Sequence, residues 1–523
     1  MARTGYTAET TGLPAEAPEW TITFKKPIVS SPSVVNGIVY VGCRDSVFYA
    51  IDLYSGSILW SYKTGGWVDS SPFVTQDKVL VGSRDGYIYQ FDNETGRLIF
   101  RLAAGLQLSS PVLTKGGEIL SGIGPPYNRF SVFTPDVVGP EWAQYFTQPS
   151  YSSPAVQDDI AVIASNEGVL YAINYETHKI LWQFKTNGGA YLSTPSIKDS
   201  IVYFAPGDYD PYVYALDLLT GKDLWVDEEE SLSLANRGGA ITGAYPMLLH
   251  QLSLMKPTHR KATLNFLNGQ QHPLAKVMQS NKQNKTGSDG IIPGGGGIKT
   301  SSVTVGTENL YVIQRELGYS NDEEMRPVSR YTLFALNKNT GLKTWDFSAV
   351  QGHPAPGYNS SPIMAGDKIF FGWGDGKMYV LQASSGEVLG ERELDGHIVS
   401  SPAVAEGKLV VGTMNGTLYS YALNATAPGL SFEKSTYCYP NPAKGDFSHI
   451  QVYVTKSAKI EIIFYNIAQR PILRKSKQLS PNEKWTYDWK LTSVANGVYF
   501  ARVSAKYSDG SKDRKFLKIG VLR

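Results

Sequence analysis

The chain has 523 residues, enough for two or three domains with ample cores, and its 42% apolar content excludes a mostly disordered chain. No stretch of about eighteen apolar residues is present to cross a membrane as a helix, and the only cysteines, Cys43 and Cys438, exclude a disulfide framework, a CxxC pair and a CxxCH haem site. The net charge of +2 hides an asymmetry: from Cys438 onward sixteen Lys and Arg face six Asp and Glu, a net of +10, which leaves −8 for the remainder.

Residues 1–17 contain no apolar core of a signal peptide and read as an N-terminal extension; an exported form is expected to have lost its signal already. From there a repeat sets the pattern. Ser-Ser-Pro or a near variant recurs at Ser30, Ser70, Ser109, Ser152, Ser193, Ser360 and Ser400, with a degenerate copy at Ser301-Ser302-Val303. The usual step of about forty residues is that of a four-stranded propeller blade.

The first unit shows the grammar. SPSVV is a strand, Asn36-Gly37 a hairpin turn, IVYVG a second strand, FYAID a third, Tyr54-Ser55-Gly56 a turn and ILWSYK a fourth. An aromatic residue stands in the fourth strand at Trp60, Phe100, Trp142, Trp182, Trp225 and Trp345, with Leu389 in the seventh unit. The eighth unit stops after three strands. Trp20 precedes Pro32 by the same twelve residues that separate Trp60 from Pro72, so residues 18–26 are expected to complete the last blade. The fold class is therefore all-β: an eight-bladed β-propeller over residues 18–424, a linker over 425–437, and a small antiparallel β-sandwich over 438–523.

Two units are embellished. Residues 226–300 form an insertion with a predicted helix near Tyr245–Met255 and a Gly-rich run read as a linker, since it lacks a phosphate-loop pattern. Residues 314–330 read as a long inter-strand loop.

YAIDLYSGSILWSYK, YAINYETHKILWQFK and YALDLLTGKDLW resemble the signature of pyrroloquinoline-quinone-like propeller repeats. That resemblance implies either a quinoprotein dehydrogenase or a non-enzymatic propeller such as the outer-membrane-assembly scaffold. Many such dehydrogenases carry a vicinal cysteine pair, which this chain lacks, and the non-enzymatic branch is expected. Tyr439-Pro440-Asn441-Pro442, IEIIFYNIAQRPI and Asn496-Gly497-Val498-Tyr499-Phe500 resemble the C-terminal sorting domains of type IX secretion, and also a related immunoglobulin-like module. Export to the cell surface, and contact with outer-membrane secretion machinery or an extracellular assembly, is what this resemblance implies.

Antiparallel strand order places two sets of loops at one end of the channel: those leading into each Ser-Ser-Pro and those joining second and third strands. Arg44, Trp67, Asp69, Arg84, Tyr151, Tyr191, His353, Tyr358, Trp373 and His397 are the candidate ligand-binding residues of this mouth, and Arg129 lies in the same loop set. A charged, aromatic mouth suits a protein, peptide or glycan. No catalytic residue and no resident cofactor is expected, although acidic loops at Asp208–Asp210 and Asn321–Glu324 leave calcium open. The histidines lack metal-ligand spacing, and no nucleic-acid platform is present. The expected function is that of an exported, non-catalytic binding or scaffold protein. The alternatives are an enzyme (a quinone-dependent dehydrogenase, or a polysaccharide lyase using His397 and Tyr358 as acid and base) and a structural subunit of an extracellular assembly.

Overall fold

The computed structural model describes most of residues 6–225 and 291–522, and every element named in them is a strand. Positions 1–5 and 226–290 lie outside the described residues, as do shorter stretches that include 135–138, 190–192, 207–209, 321–326, 352–359 and 425–431. The predicted helix near Tyr245–Met255 therefore lies outside them. Among the described residues no helix is long and apolar enough to cross a membrane. The chain divides into two compact units, Leu13–Leu423 with Met1–Glu9, and Asn424–Arg523 with Thr10–Gly12.

The first unit holds eight sheets. In the first, Ser33–Val35, Ile38–Cys43, Val47–Asp52 and Ile58–Lys63 pair in order as an antiparallel meander. Asn36 and Gly37 both take left-handed conformations, φ 52° and 74°, as a tight hairpin turn requires. The Asp52 carboxylate accepts the Ser55 amide at 2.7 Å and fixes the next turn. In the eighth sheet Trp20–Thr23 supplies the outer strand, with Trp20 opposite Ser420 and Thr23 opposite Thr417.

The Ser-Ser-Pro copies form a closed circuit. The amide of the second residue of each copy donates to the side-chain hydroxyl of the equivalent residue one sheet on: Ser31 to Ser71, Ser71 to Ser110, Ser110 to Ser153 and Ser153 to Thr194. It continues from Thr194 to Ser302, Ser361 and Ser401, and Ser401 returns to Ser31 at 2.9 Å. The degenerate Ser301-Ser302 copy is thus a full member of the ring. Serine and threonine suit it because one hydroxyl accepts from a neighbouring backbone group while the amide stays free to donate onward.

The apolar core sits between successive sheets. Val41, Ile51 and Val410 pack between the last and first, Phe48, Val81 and Phe91 between first and second, and Met378, Val380 and Val411 between seventh and eighth. The repeated tryptophan locks four of the junctions among the described residues. Trp60 donates its indole N–H to the Asn93 carbonyl at 3.0 Å and lies over Gly96. Trp20 does the same to Leu53, Trp182 to Leu218 and Trp345 to Ala383. A Cβ on Gly96 would stand 2.5 Å from the Trp60 ring, and its φ of 68° already favours glycine.

Three segments differ from the expectation. The end of the Gly-rich run is the strand Ile291–Thr300, paired with Asn309–Ser320, rather than linker. The stretch read as a loop extends a hairpin of Asn309–Ser320 and Pro327–Asn337, because two facing arms satisfy each other's backbone groups. Within the N-terminal extension Tyr6–Thr7 runs parallel to Ile363–Ala365, the innermost strand of the seventh sheet, on its channel side, and Leu13–Pro14 joins the eighth sheet.

The second unit is a sandwich of two antiparallel sheets. One contains Tyr437–Tyr439, Phe447–Val454 and Glu483–Lys490; the other contains Pro471–Leu479, Ala458–Tyr465, Gly497–Tyr507 and Lys512–Val521. Alternate residues, among them Ile450, Val452, Ile460, Ile462, Phe464 and Val503, form its core with Trp489.

Candidate functional site

Four of the candidate residues meet at the junction of the first two sheets. Arg44 and Arg84 open the turns after the second strands Ile38–Cys43 and Lys78–Gly82, and Trp67 and Asp69 lie on the loop between them. That loop rests flush on the following turn. The Gly65 amide donates to the Asp85 carboxylate at 2.6 Å, and a Cβ on Gly66 would meet the Asp85 amide nitrogen at 2.6 Å. The Arg84 amide then donates to the Trp67 carbonyl at 2.8 Å.

Asp69 is the anchor, with a side chain only 3% exposed. Arg44 grips it through Nε at 2.9 Å and Nη2 at 3.0 Å, and Arg84 through Nε at 2.8 Å. Two guanidiniums on one carboxylate leave a net positive charge. Both guanidiniums also pack on the Trp67 ring, at 4.8 Å and 5.0 Å from its centre, while the indole stays 44% exposed. Each such contact contributes about 0.5–2 kcal/mol, so the exposed ring is held in place rather than free to swing.

The acids of the neighbouring turns have a different task. Asp45, Asp85, Glu167, Asp210 and Asp375 each accept the hydroxyl of the tyrosine four residues on: Tyr49, Tyr89, Tyr171, Tyr214 and Tyr379, at 2.6–2.8 Å. Burial, then the adjoining carboxylate, pushes the hydroxyls of Tyr49, Tyr89, Tyr171 and Tyr379 far above their usual range. Asp210, one of the acids weighed for calcium, is buried in this way; Asp208 and Asn321–Glu324 lie outside the described residues. Among the described residues no group of three or more metal-ligating side chains is found.

The structure gathers Arg44, Trp67, Asp69 and Arg84 into one cluster. It does not bring the other described candidates to them. Trp373 is 1% exposed, packed against Phe347, Phe371 and Tyr379, so it belongs to the interior and presents no face to a ligand. Tyr151 is half-buried against Gly124. His397 occupies the position of Trp67 in its own repeat and is exposed, but its Nδ1 faces the Gly374 carbonyl. Tyr191, His353 and Tyr358 lie outside the described residues.

A family profile described as outer membrane protein assembly factor BamB matches residues 14–123, 139–316 and 297–431, and one described as secretion system C-terminal sorting domain matches 437–518. The chain is similar to the BamB of Legionella pneumophila, 22% identical over 279 residues, which cover 51% of this chain and 49% of that one. It is also similar to the BamB of Shewanella oneidensis, 23% identical over 287 residues, covering 49% and 67%. This chain thus spans about half the length of the first relative. Among solved structures, BamB from Moraxella catarrhalis superposes with a TM-score of 0.51 at 14% identity, over 79% of this chain and 98% of that one. Quinohemoprotein alcohol dehydrogenase from Comamonas testosteroni reaches 0.54 at 14% identity, over 85% and 82%. At such identities these two likenesses show the propeller fold alone.

Proposed function

This chain belongs to the family described as outer membrane protein assembly factor BamB, and on that premise we propose that it is an exported, non-catalytic binding or scaffold protein that takes a protein partner at the propeller mouth. The sorting-domain match over 437–518 supports export to the cell surface, with the sandwich serving secretion or docking. The observation that carries the reading is Trp67, nearly half exposed yet clamped by Arg44 and Arg84 on the buried Asp69. Tryptophan and arginine are the residues that most often dominate protein interfaces, and a pre-held ring loses little freedom on binding.

The vicinal cysteine pair that many quinone-dependent dehydrogenases carry is missing from the sequence, which supports the non-catalytic reading. Cys43 and Cys438 are free thiols in separate units, not a vicinal pair.

The test is partner recovery from the native cell envelope. Trp67→Ala is expected to lower recovery about tenfold or more while lowering the melting temperature by no more than a few degrees, the loss of its two arginine contacts. Full recovery with Trp67→Ala, or a wild-type protein that co-purifies with nothing, would remove the mouth from this role.

A further inference from the structure

The third sheet departs from its neighbours at one place. Where other sheets carry the acid and tyrosine pair, its turn contains Pro125 and Pro126, and Ser131 stands at the register position of Tyr89. Arg129, at the position of Tyr87, is 8% exposed and forms no ion pair among the described residues. Its guanidinium lies between two tyrosines, 4.6 Å from the Tyr127 ring centre and 5.8 Å from that of Tyr145. Nη1 donates to the Tyr145 hydroxyl at 3.4 Å, and Nε is buried with no hydrogen-bond partner.

Buried polar atoms without partners concentrate here: Asn128 Oδ1, Arg129 Nε, Ser131 Oγ and Thr134 Oγ1 fall within seven consecutive residues. An arginine keeps its charge at any physiological pH, and a buried charge without a counter-ion is destabilising. Two tyrosine rings offset part of that cost but carry no charge. Lys377, at the equivalent position of the seventh sheet, has Glu391 at 2.8 Å; Arg129 has no such acid. The flanking rings are 48% and 61% exposed, so the platform beside the guanidinium faces solvent.

We infer that Tyr127, Asn128, Arg129 and Tyr145 form a second binding site, separate from the Trp67 cluster, for a carboxylated sugar residue of an acidic glycan. The sugar carboxylate supplies the missing counter-ion, and a guanidinium suits a carboxylate through paired N–H donors. A sugar hydroxyl donates to Asn128 Oδ1. The exposed tyrosine faces cover the C–H face of the ring with their apolar bodies and reach its hydroxyls with their polar tips. Gly105 keeps the platform in place, since a Cβ there would come to 2.7 Å from the Tyr127 ring.

The experiment is calorimetric titration of the whole protein with a short oligogalacturonate, its methyl ester, and an oligoglutamate of equal charge. Oligogalacturonate is expected to bind, with affinity about tenfold or more weaker for the ester and for Arg129→Gln, and weakened by Tyr145→Ala. Trp67→Ala is expected to leave this binding unchanged, which separates it from the partner site at the mouth. Arg129→Met is expected to melt no lower than wild type, because it removes an unpaired buried charge. The inference is overturned by absence of oligogalacturonate binding, by equal binding of the ester or of oligoglutamate, by indifference to Arg129→Gln, or by a marked fall in melting temperature for Arg129→Met.

Discussion

Asp69 holds two arginines on one buried carboxylate, and the consequences of changing it follow from that geometry. Asp69→Ala leaves Arg44 and Arg84 facing each other around Trp67 without their counter-ion. The two side chains are 13% and 26% exposed, so solvent screens part of the repulsion. A loss of about 2 kcal/mol in denaturant unfolding is expected, larger than for Arg84→Ala, which leaves Arg44 on the carboxylate. The thiols behave differently from surface cysteines. Burial pushes Cys43 up to about 12 and Cys438 up to about 11. Neither is expected to react with iodoacetamide at pH 8 in the folded protein, and both are expected to react after unfolding in guanidinium; rapid native labelling of Cys43 would contradict its burial. At this scale the sequence was informative about residue type but not about placement. Arg44, Trp67, Asp69 and Arg84 all stood among the candidates, yet nothing in their spacing showed that one carboxylate serves both arginines. Trp373 follows its second strand directly, at the place of Ser83 rather than of Arg84, and the packing of Phe347 and Phe371 shows that it turns inward. Tyr127 and Tyr145 were missed; the available signal was the loss of the acidic turn residue beside Arg129.

Four sheets of the first unit are four-stranded and the others vary on that plan, and their shared repeat signature has a physical translation. The aspartate shapes the turn, the glycine leaves room, and the tryptophan of the preceding sheet fills that room and donates to the backbone beside it. Gly96→Ala places a methyl group against the Trp60 ring at a left-handed φ, and a loss of about 2–3 kcal/mol is expected from strain and overpacking together. Gly117→Ala is the control: it also has a left-handed φ but nothing within 4 Å, so thermal unfolding of the two variants separates the clash from the backbone strain. If the two melt alike, the tryptophan contact contributes nothing. Strand positions were legible because alternation and turn chemistry are local. The hairpin arms Asn309–Ser320 and Pro327–Asn337 were not, because a polar segment extends as a strand only when a partner arm is beside it.

The first unit is held as a ring by two devices, the circuit of hydroxyl hydrogen bonds through the Ser-Ser-Pro copies and the strand Trp20–Thr23 that finishes the eighth sheet. Deleting residues 18–26 exposes the edge of Thr417–Asn424 and removes Trp20 from Gly56. Self-association on size-exclusion chromatography and a lower, broader calorimetric transition are expected, since an open sheet edge pairs with other chains. A deletion variant that stays monomeric with an unchanged transition would show that the hydroxyl circuit alone suffices. The repeat period, the turn residues and the register of Trp20 stand in the sequence because they are local and recur every forty residues or so, and they determined the all-β propeller and the sandwich that follows. Which side chains meet across neighbouring sheets was decided only by the tertiary structure. Asp69 between two arginines, Trp373 in the interior, Arg129 without an acid and Tyr6–Thr7 along the channel edge all depend on groups distant in the chain, and no periodicity records those distances.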